Sequence, residues 1–181
     1  GDWTSDAGGT TSLDTGPSVD YDPGTASGFY MYIETSTPMF GGKVAILESV
    51  DIDLSSTNAA QFAFSYHMFG STMGTLNVDV SDDNGTTWTT LWTLTGDQGA
   101  LWHRDTVDLS AYNGSTIKLR FRGTTGTNYY SDMAIDAVQI YDLLTTDAGI
   151  SSIDSPTSPA CNLGNDVYAS IKNYGTDTLF N

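Results

Sequence analysis

The chain has 181 residues, with 22 acidic and 6 basic side chains and a net charge of −16. Its length suits one domain of ordinary size and part of a second. Nucleic acids and anionic membranes would repel so acidic a chain, so we expect neither nucleic-acid binding nor membrane insertion. Thr, Ser, Gly and aromatic residues are abundant while Glu and Lys are scarce, and this composition predicts an all-β fold.

Alternating polar and apolar residues predict a series of short strands after a turn-rich opening at 1–28. In chain order the predicted strands are 29–34, 43–47, 61–69, 76–80, 87–92, 102–109, 117–123 and 133–141. Asp83-Asn84-Gly85 separates two of them and predicts a hairpin turn. Turn signals recur roughly every 8–12 residues and no helical period is sustained, so residues 1–143 are predicted to form an antiparallel β-sandwich or jelly roll.

Residues 144–181 differ in character and contain two further predicted strands, at 147–153 and 166–172. Two strands cannot bury a core alone, so we expect a linker and an incomplete second β domain, or a segment packed on the first. Because the chain opens on Gly1 and ends in a predicted strand, it is expected to be a piece of a larger multidomain protein. One cysteine, Cys161, excludes an internal disulfide; we expect a buried thiol or a bond to a cysteine beyond Asn181.

Several sequence strings follow one another in an order typical of one known family. The strings are Asp2-Trp3-Thr4, Thr15-Gly16-Pro17-Ser18 with Asp20, Gly28-Phe29-Tyr30-Met31-Tyr32-Ile33-Glu34, Phe64-Ser65-Tyr66-His67-Met68-Phe69-Gly70, Met73-Gly74-Thr75-Leu76-Asn77-Val78, Gly96-Asp97-Gln98-Gly99 with Trp102, and Ser131-Asp132-Met133-Ala134-Ile135-Asp136. With these strings, residues 2 to about 142 resemble the MAM domain family, named after meprin, the A5 antigen and a receptor phosphatase.

The resemblance implies a jelly-roll sandwich that mediates adhesion or ligand contact outside the cell, without catalysis and commonly with a structural Ca²⁺ or Na⁺. The sequence departs from animal members in lacking their disulfides, and it has Ala137 where many relatives have Asp. Residues 144–181 are similar to the start of an Ig-like repeat of secreted Bacteroidetes-type proteins, through Ser155-Pro156, Cys161 and the run Ile171-Lys172-Asn173-Tyr174-Gly175-Thr176.

Four aspartates are the candidate calcium ligands, since Ca²⁺ takes six to eight oxygens from carboxylates and carbonyls. Asp20 and Asp22 lie in a loop rich in Gly and Pro, and Asp132 and Asp136 bracket Met133-Ala134-Ile135. Four positions along a strand place the last two on one face, and the resemblance implies that loop and strand meet. The alternative is that these residues only form turns. Asp136 and Asp20 are the preferred ligands.

Lys118, Arg120 and Arg122 alternate with apolar residues and therefore line one face of a strand. They could form a cationic stripe for an anionic sugar or a partner carboxylate. The favoured alternative is cross-strand pairing with neighbouring acids, for example Asp79 or Asp105, because so acidic a protein needs local neutralisation.

Five aromatic residues, Trp88, Trp92, Trp102, Tyr129 and Tyr130, are candidates for stacking on sugar rings. Trp88 and Trp92 are expected on one strand face, where they could simply pack between the sheets. Core packing is favoured for each tryptophan, whereas for the two tyrosines ligand contact and loop anchoring stay open.

No catalytic or phosphate-binding motif occurs, and His67 and His103 are expected to be structural. The leading hypothesis is a noncatalytic MAM-like module, secreted or at the cell surface, that serves adhesion or substrate docking in a larger bacterial protein such as a metallopeptidase. Its partner would be an extracellular protein or a polysaccharide. The alternatives are a carbohydrate-binding module of a polysaccharide-degrading enzyme and a structural spacer.

Overall fold

The computed structural model describes residues 2–39, 41–143, 147–155, 166–175 and 177–178. The chain divides into two compact units, Gly1–Tyr141 and Asp142–Asn181. The division lies two residues before the sequence-based boundary between 143 and 144.

The regular structure of the first unit consists mainly of short strands, as the alternating sequence predicts. They are β1 Thr4–Ala7, β2 Phe29–Ile33, β3 Val44–Glu48, β4 Ile52–Asp53, β5 Ala60–Met68, β6 Thr75–Ser81, β7 Thr89–Thr95, β8 His103–Asp108, β9 Thr116–Thr124 and β10 Met133–Asp142. A single turn of 3₁₀ helix, Ser110–Tyr112, follows β8.

The strands of the first unit form two sheets. One has the strand order β1-β2-β10-β5-β8, and the other has the order β3-β9-β6-β7 with β4 also paired to β9. The registered strand pairs are antiparallel. The prediction of an all-β antiparallel sandwich is therefore confirmed.

The hydrophobic core lies between the two sheets and follows from the alternation along their central strands. In β5, Phe62 and Phe64 face inward and are at most 3% exposed. In β9, Leu119 and Phe121 are buried while the residues between them are partly exposed. The rings of Phe64 and Phe121 meet across the sandwich with centroids 5.2 Å apart, so the inward faces of the two sheets interlock.

The outer face of the first sheet is also covered, which strand alternation does not predict. Ser65 and His67 point away from the sandwich core yet are buried. The loop before β2 packs here: Tyr30 Oη donates to the Gly8 carbonyl (2.9 Å), and Trp102 Nε1 donates to the Val19 carbonyl (2.8 Å). A Gly- and Pro-rich loop therefore acts as a third layer on this sheet.

The predicted hairpin turn joins β6 to β7. Asn84 and Gly85 both have positive φ values, 59° and 83°, which is the backbone conformation that Asn-Gly turns favour. Ser81 Oγ accepts the Gly85 amide (2.8 Å) and Asp83 Oδ1 accepts the Thr87 amide (2.8 Å). Hydrogen bonds to the Asp83 carboxylate, first from the Thr87 hydroxyl and then from the Thr87 amide and the Ser81 hydroxyl, hold its pKa at about 2.

The second unit contains one antiparallel hairpin, β11 Ala148–Ser155 and β12 Tyr168–Asn173. Ile150 and Ile171 lie opposite each other and are 66% and 73% exposed. Cys161 lies outside the described residues, and the Ig-like assignment of this unit stays a prediction.

Candidate functional site

The three basic residues of β9 are all paired with acidic residues of adjacent strands and turns. Asp79 of β6 lies between two of them: Arg120 Nε donates to its Oδ2 (2.9 Å) and Arg122 Nε to the same oxygen (2.8 Å). Lys118 Nζ lies 3.3 Å from Glu48 and 3.8 Å from Asp51. The charge on this face is therefore largely compensated, as the pairing alternative requires.

Asp79 is only 1% exposed and stays ionised because of its neighbours. Burial alone would raise its pKa, but hydrogen bonds from Arg122, Thr90 and Arg120 together hold the pKa below its ordinary value. The carboxylate thus joins β6, β7 and β9 on the outer face of the second sheet.

Trp88 and Trp92 do not share a strand face, so that prediction is wrong. Trp92 pairs with Val78 while Thr90 pairs with Asp79, which leaves Leu91 as an extra residue in β7. Such a bulge shifts the side-chain alternation by one residue. Trp88 therefore lies on the outer face, where the guanidinium carbon of Arg120 is 4.1 Å from its ring centroid.

The other two candidate tryptophans are packed within the domain. Trp92 meets the rings of Phe64 and Tyr66 at centroid distances of 5.1 and 5.3 Å, and its Nε1 donates to Asp105 (2.7 Å). Trp102 contacts Tyr30 and His67 at 5.9 and 5.4 Å under the covering loop. Neither presents a free ring face of the kind that sugar stacking needs.

Tyr129 and Tyr130 contact each other in the loop before β10, with their rings tilted by 38°. Their ring centroids are 4.1 Å apart and their hydroxyls 2.5 Å apart. Tyr129 is 38% exposed. The backbone of the pair is anchored, because the Thr35 hydroxyl donates to the Tyr129 carbonyl and the Thr72 hydroxyl to the Tyr130 carbonyl.

The four candidate calcium ligands occupy different environments. Asp20 is 1% exposed, and its Oδ1 accepts the Thr25 amide (2.5 Å). Asp136 accepts the amides of Tyr21 (2.8 Å) and Ala137 (2.6 Å). Asp22 is exposed. The covering loop and β10 therefore meet at Tyr21 and Asp136.

Asp132 is fully buried just before β10. Its Oδ1 accepts both the amide (2.9 Å) and the hydroxyl (2.8 Å) of Thr35, and burial raises its pKa. The Oδ2 atoms of Asp20 and Asp132 are both buried without a hydrogen-bond partner. The described residues contain no group of three or more His, Cys, Asp or Glu that could hold a metal, so the four aspartates do not converge.

The two histidines have structural surroundings. His67 is buried on the covered face of β5, and burial, followed by the nearby His103, lowers its pKa to about 4. His103 Nε2 lies 3.1 Å from the Gln98 carbonyl oxygen, and its ring stacks on Tyr66 at a centroid distance of 5.5 Å.

An apolar cleft of about 460 Å³ lies between the two sheets of the first unit. The apolar cleft is lined from both sheets by Met31, Leu47, Phe62, Leu119, Ile135 and Ile140, and Glu48, Arg120 and Asp136 add charged groups. Phe29 and Val138 also line it and are 70% and 52% exposed. Sequence reasoning missed this feature, because strand alternation predicts which face of a strand a residue lies on and not where two sheets leave a gap between them.

A family model described as "MAM domain, meprin/A5/mu" matches residues 1–144. The chain belongs to the MAM domain family. MAM domains are noncatalytic binding domains, and this MAM domain is therefore a binding module and not an enzyme. No helix among the described residues is long and apolar enough to cross a membrane.

Curated animal proteins contain similar MAM sequences. The domain is 37% identical over 151 residues to MAM domain-containing glycosylphosphatidylinositol anchor protein 2 of Mus musculus, covering 77% of this chain and 16% of the relative. It is 37% identical over 130 residues to anchor protein 1 of Rattus norvegicus, covering 71% of this chain and 13% of the relative. The chain thus spans less than a fifth of the length of these relatives.

A solved structure shares the fold of this MAM domain. The K1 cleaved adhesin domain of Lys-gingipain from Porphyromonas gingivalis W83 superimposes with a TM-score of 0.54 at 20% identity, covering 78% of this chain and 83% of that one. At this identity the similarity shows the β-sandwich alone.

Proposed function

We propose that this MAM domain is a docking module for adhesion or substrate capture, secreted or displayed at the cell surface as part of a larger bacterial protein such as a metallopeptidase. Its family supports an extracellular role. The chain has a single cysteine, so it lacks the disulfides of animal MAM domains, and this supports a bacterial origin. The partner is an extracellular protein.

The apolar cleft is the observation that supports binding to a protein partner. Exposed apolar side chains beside an open apolar cleft mark protein-binding surfaces, and Phe29 and Val138 provide them here. The aromatic residues that a sugar site would use already have partners: the Arg120 guanidinium lies over the Trp88 ring, and the rings of Tyr129 and Tyr130 contact each other. The geometry therefore favours protein docking over sugar stacking.

The test is a binding assay of the folded module against a panel of purified extracellular-matrix proteins and, in parallel, a panel of polysaccharides. We expect saturable binding to a protein, weakened at least tenfold by Phe29→Asp and unchanged by the matched control Leu13→Asp. Leu13 is equally apolar and 80% exposed, and it does not line the cleft. Binding to one sugar class that is lost on Tyr129→Ala or Tyr130→Ala would instead identify a carbohydrate-binding module.

We also propose a structural Ca²⁺ at the junction of the covering loop with β10. Its support is the buried Oδ2 of Asp20, which has no hydrogen-bond partner, and the bond between Asp136 and the amide of the adjacent Tyr21. Backbone carbonyls and water would complete the coordination of a hard cation. Calcium would offset the charge of the buried carboxylate.

Thermal unfolding with calcium and with chelator tests this proposal. We expect Ca²⁺ to raise the unfolding midpoint, Asp20→Asn to abolish the increase, and Asp22→Asn, at an exposed position, to preserve it. An identical midpoint with calcium and with chelator contradicts a structural cation.

A further inference from the structure

The pairing between β2 and β10 ends early, and this leaves part of β10 with an open side. Register pairs join the two strands at Met133, Ala134 and Ile135 of β10, and β10 then continues to Asp142. Its neighbours in the sheet are β2 and β5. Within the described residues, no register pair joins β2 to residues 136–141 of β10, and no other strand lies on that side.

Ala137 marks the point of divergence. It has a φ of 47°, which is uncommon for a residue with a side chain. Its amide donates to the Asp136 carboxylate, and its carbonyl accepts Arg104 Nη1 at 3.3 Å. These side chains satisfy the backbone at the kink, so the separation of β10 from β2 is a built feature of the fold.

The apolar cleft lies directly beside this open side. Ala137, Val138 and Ile140 line it from the second half of β10, and Phe29 and Met31 line it from β2. An open strand edge supplies backbone donors and acceptors for another strand, and an adjacent apolar pocket accepts its alternate side chains. The open edge of β10 and the adjacent apolar cleft are the two features that a peptide needs in order to add a strand to the sheet.

We propose that this edge and the apolar cleft bind an extended peptide segment of a partner protein, which adds a strand to β10 and inserts an apolar side chain between the sheets. The proposal rests on the docking function above and names the form of the partner. A chain in strand conformation continues the β1-β2-β10 ladder where the native pairing stops.

Charge around the cleft favours basic residues at the ends of that segment. Asp136 has no ion-pair partner among the described residues, and the charge of Arg120 is already matched by Asp79. The whole chain has a net charge of −16. Long-range attraction therefore favours a cationic peptide and should weaken as salt is added.

The probe is an acetylated, amidated peptide of sequence Lys-Thr-Val-Thr-Phe-Thr-Val-Lys, whose apolar residues share one face of a strand. Calorimetry should show saturable binding to the folded module. Two further versions are N-methylated at alternate residues, so that each is blocked along one strand edge. Strand addition predicts that one version loses at least tenfold in affinity while the other does not.

Two protein variants and one exchange measurement complete the test. Val138→Asp should weaken peptide binding at least tenfold, and the control Leu13→Asp should leave it unchanged. Hydrogen exchange of the amides at 138–141 should slow when peptide is bound. Replacing the terminal lysines of the peptide by aspartates should weaken binding several-fold at low salt and less at high salt.

Three results overturn the proposal. One is no binding of the peptide at 1 mM, on the order of the weakest affinity class. Another is equal affinity for both N-methylated versions and the parent, which would mean apolar insertion without strand pairing. The third is concentration-dependent dimerisation that protects 138–141 without peptide, which would assign the edge to a second copy. If the peptide experiments give one of these results while Phe29→Asp still weakens binding of the partner protein, the proposal of docking at the apolar cleft is retained and only the proposal of strand addition is rejected.

Discussion

The buried carboxylate of Asp79 offers the sharpest test of the interactions on the second sheet. Asp79→Asn keeps the shape of the side chain and removes its charge. Three of its four hydrogen bonds come from guanidinium groups: Arg120 Nε, Arg122 Nε and Arg122 Nη2, at 2.9, 2.8 and 3.1 Å. The fourth comes from the Thr90 hydroxyl at 2.7 Å.

The expected cost follows from burial and charge. Removing one partner of a fully buried ion pair costs about 3–5 kcal/mol. Here Arg120 and Arg122 keep 17% and 29% of their side-chain surface exposed, so water partly solvates the charges that remain. The amide oxygen of the variant also keeps some of the hydrogen bonds. We therefore expect Asp79→Asn to lower the free energy of unfolding by about 2–4 kcal/mol.

Urea denaturation at pH 7 measures this change, with Glu48→Gln as the matched control. Glu48 also pairs across strands, with Lys118 at 3.3 Å, but its side chain is 40% exposed. An exposed pair contributes about 0–1 kcal/mol, so the control should change stability little. Equal effects of the two substitutions, or a change below about 0.5 kcal/mol for Asp79→Asn, would refute the argument from burial.

The pH dependence has a definite sign. The folded-state pKa of Asp79 lies below its ordinary value, so its stabilisation is present above about pH 3.9, the unfolded value. It is lost as the pH falls through the folded pKa. The stability difference between wild type and Asp79→Asn should therefore be largest near neutral pH and narrow below about pH 4. A constant difference down to pH 2 would mean that the charge is not its source.

Three further predictions concern single sites. Gly126→Ala should destabilise the fold by about 1–3 kcal/mol in urea, because the added Cβ would overlap the backbone oxygen of Thr72. Gly9→Ala, whose added Cβ would have no atom nearer than 3.8 Å, should be nearly neutral, and similar effects of the two substitutions would contradict this reasoning. His67 should stay neutral until about pH 4. Because the imidazole takes up its proton at a higher pH in the unfolded state, the free energy of unfolding should fall by roughly 3 kcal/mol between pH 6.5 and pH 4, and His67→Gln should not show this loss. An NMR titration of the His67 ring with a midpoint near pH 6.5 would disprove this. Trp92→Phe removes the 2.7 Å hydrogen bond to Asp105 and should lower the free energy of unfolding by about 1–2 kcal/mol, as measured by thermal unfolding. The same substitution should cost less in a protein that already carries Asp105→Asn, and additive losses from the two substitutions would show that the residues are not coupled.

Residue alternation determined which side chains of the central strands enter the core. The period of two along β5 and β9 places Phe62 and Phe64 opposite Phe121, and the same period turns Arg120 outward. Asn84-Gly85 determined the β6–β7 turn through backbone conformations available at those two residues. Each of these features depends on neighbours in the chain, so the sequence alone was sufficient to predict them.

Tertiary structure alone decided the features that depend on distant residues. The extra residue Leu91 in β7 moves Trp88 and Trp92 to opposite faces, and only pairing with β6 reveals it. Contacts between distant positions also fix the surroundings of the candidate aspartates: Asp132 accepts the Thr35 amide, 97 positions away, and Asp136 accepts the Tyr21 amide, 115 positions away. The apolar cleft is lined by Ala137, Val138 and Ile140, which follow the last registered pair of β10 with β2 at Ile135. The local periodicity of the sequence cannot predict the residue at which two paired strands separate, because the packing of the whole sandwich determines it.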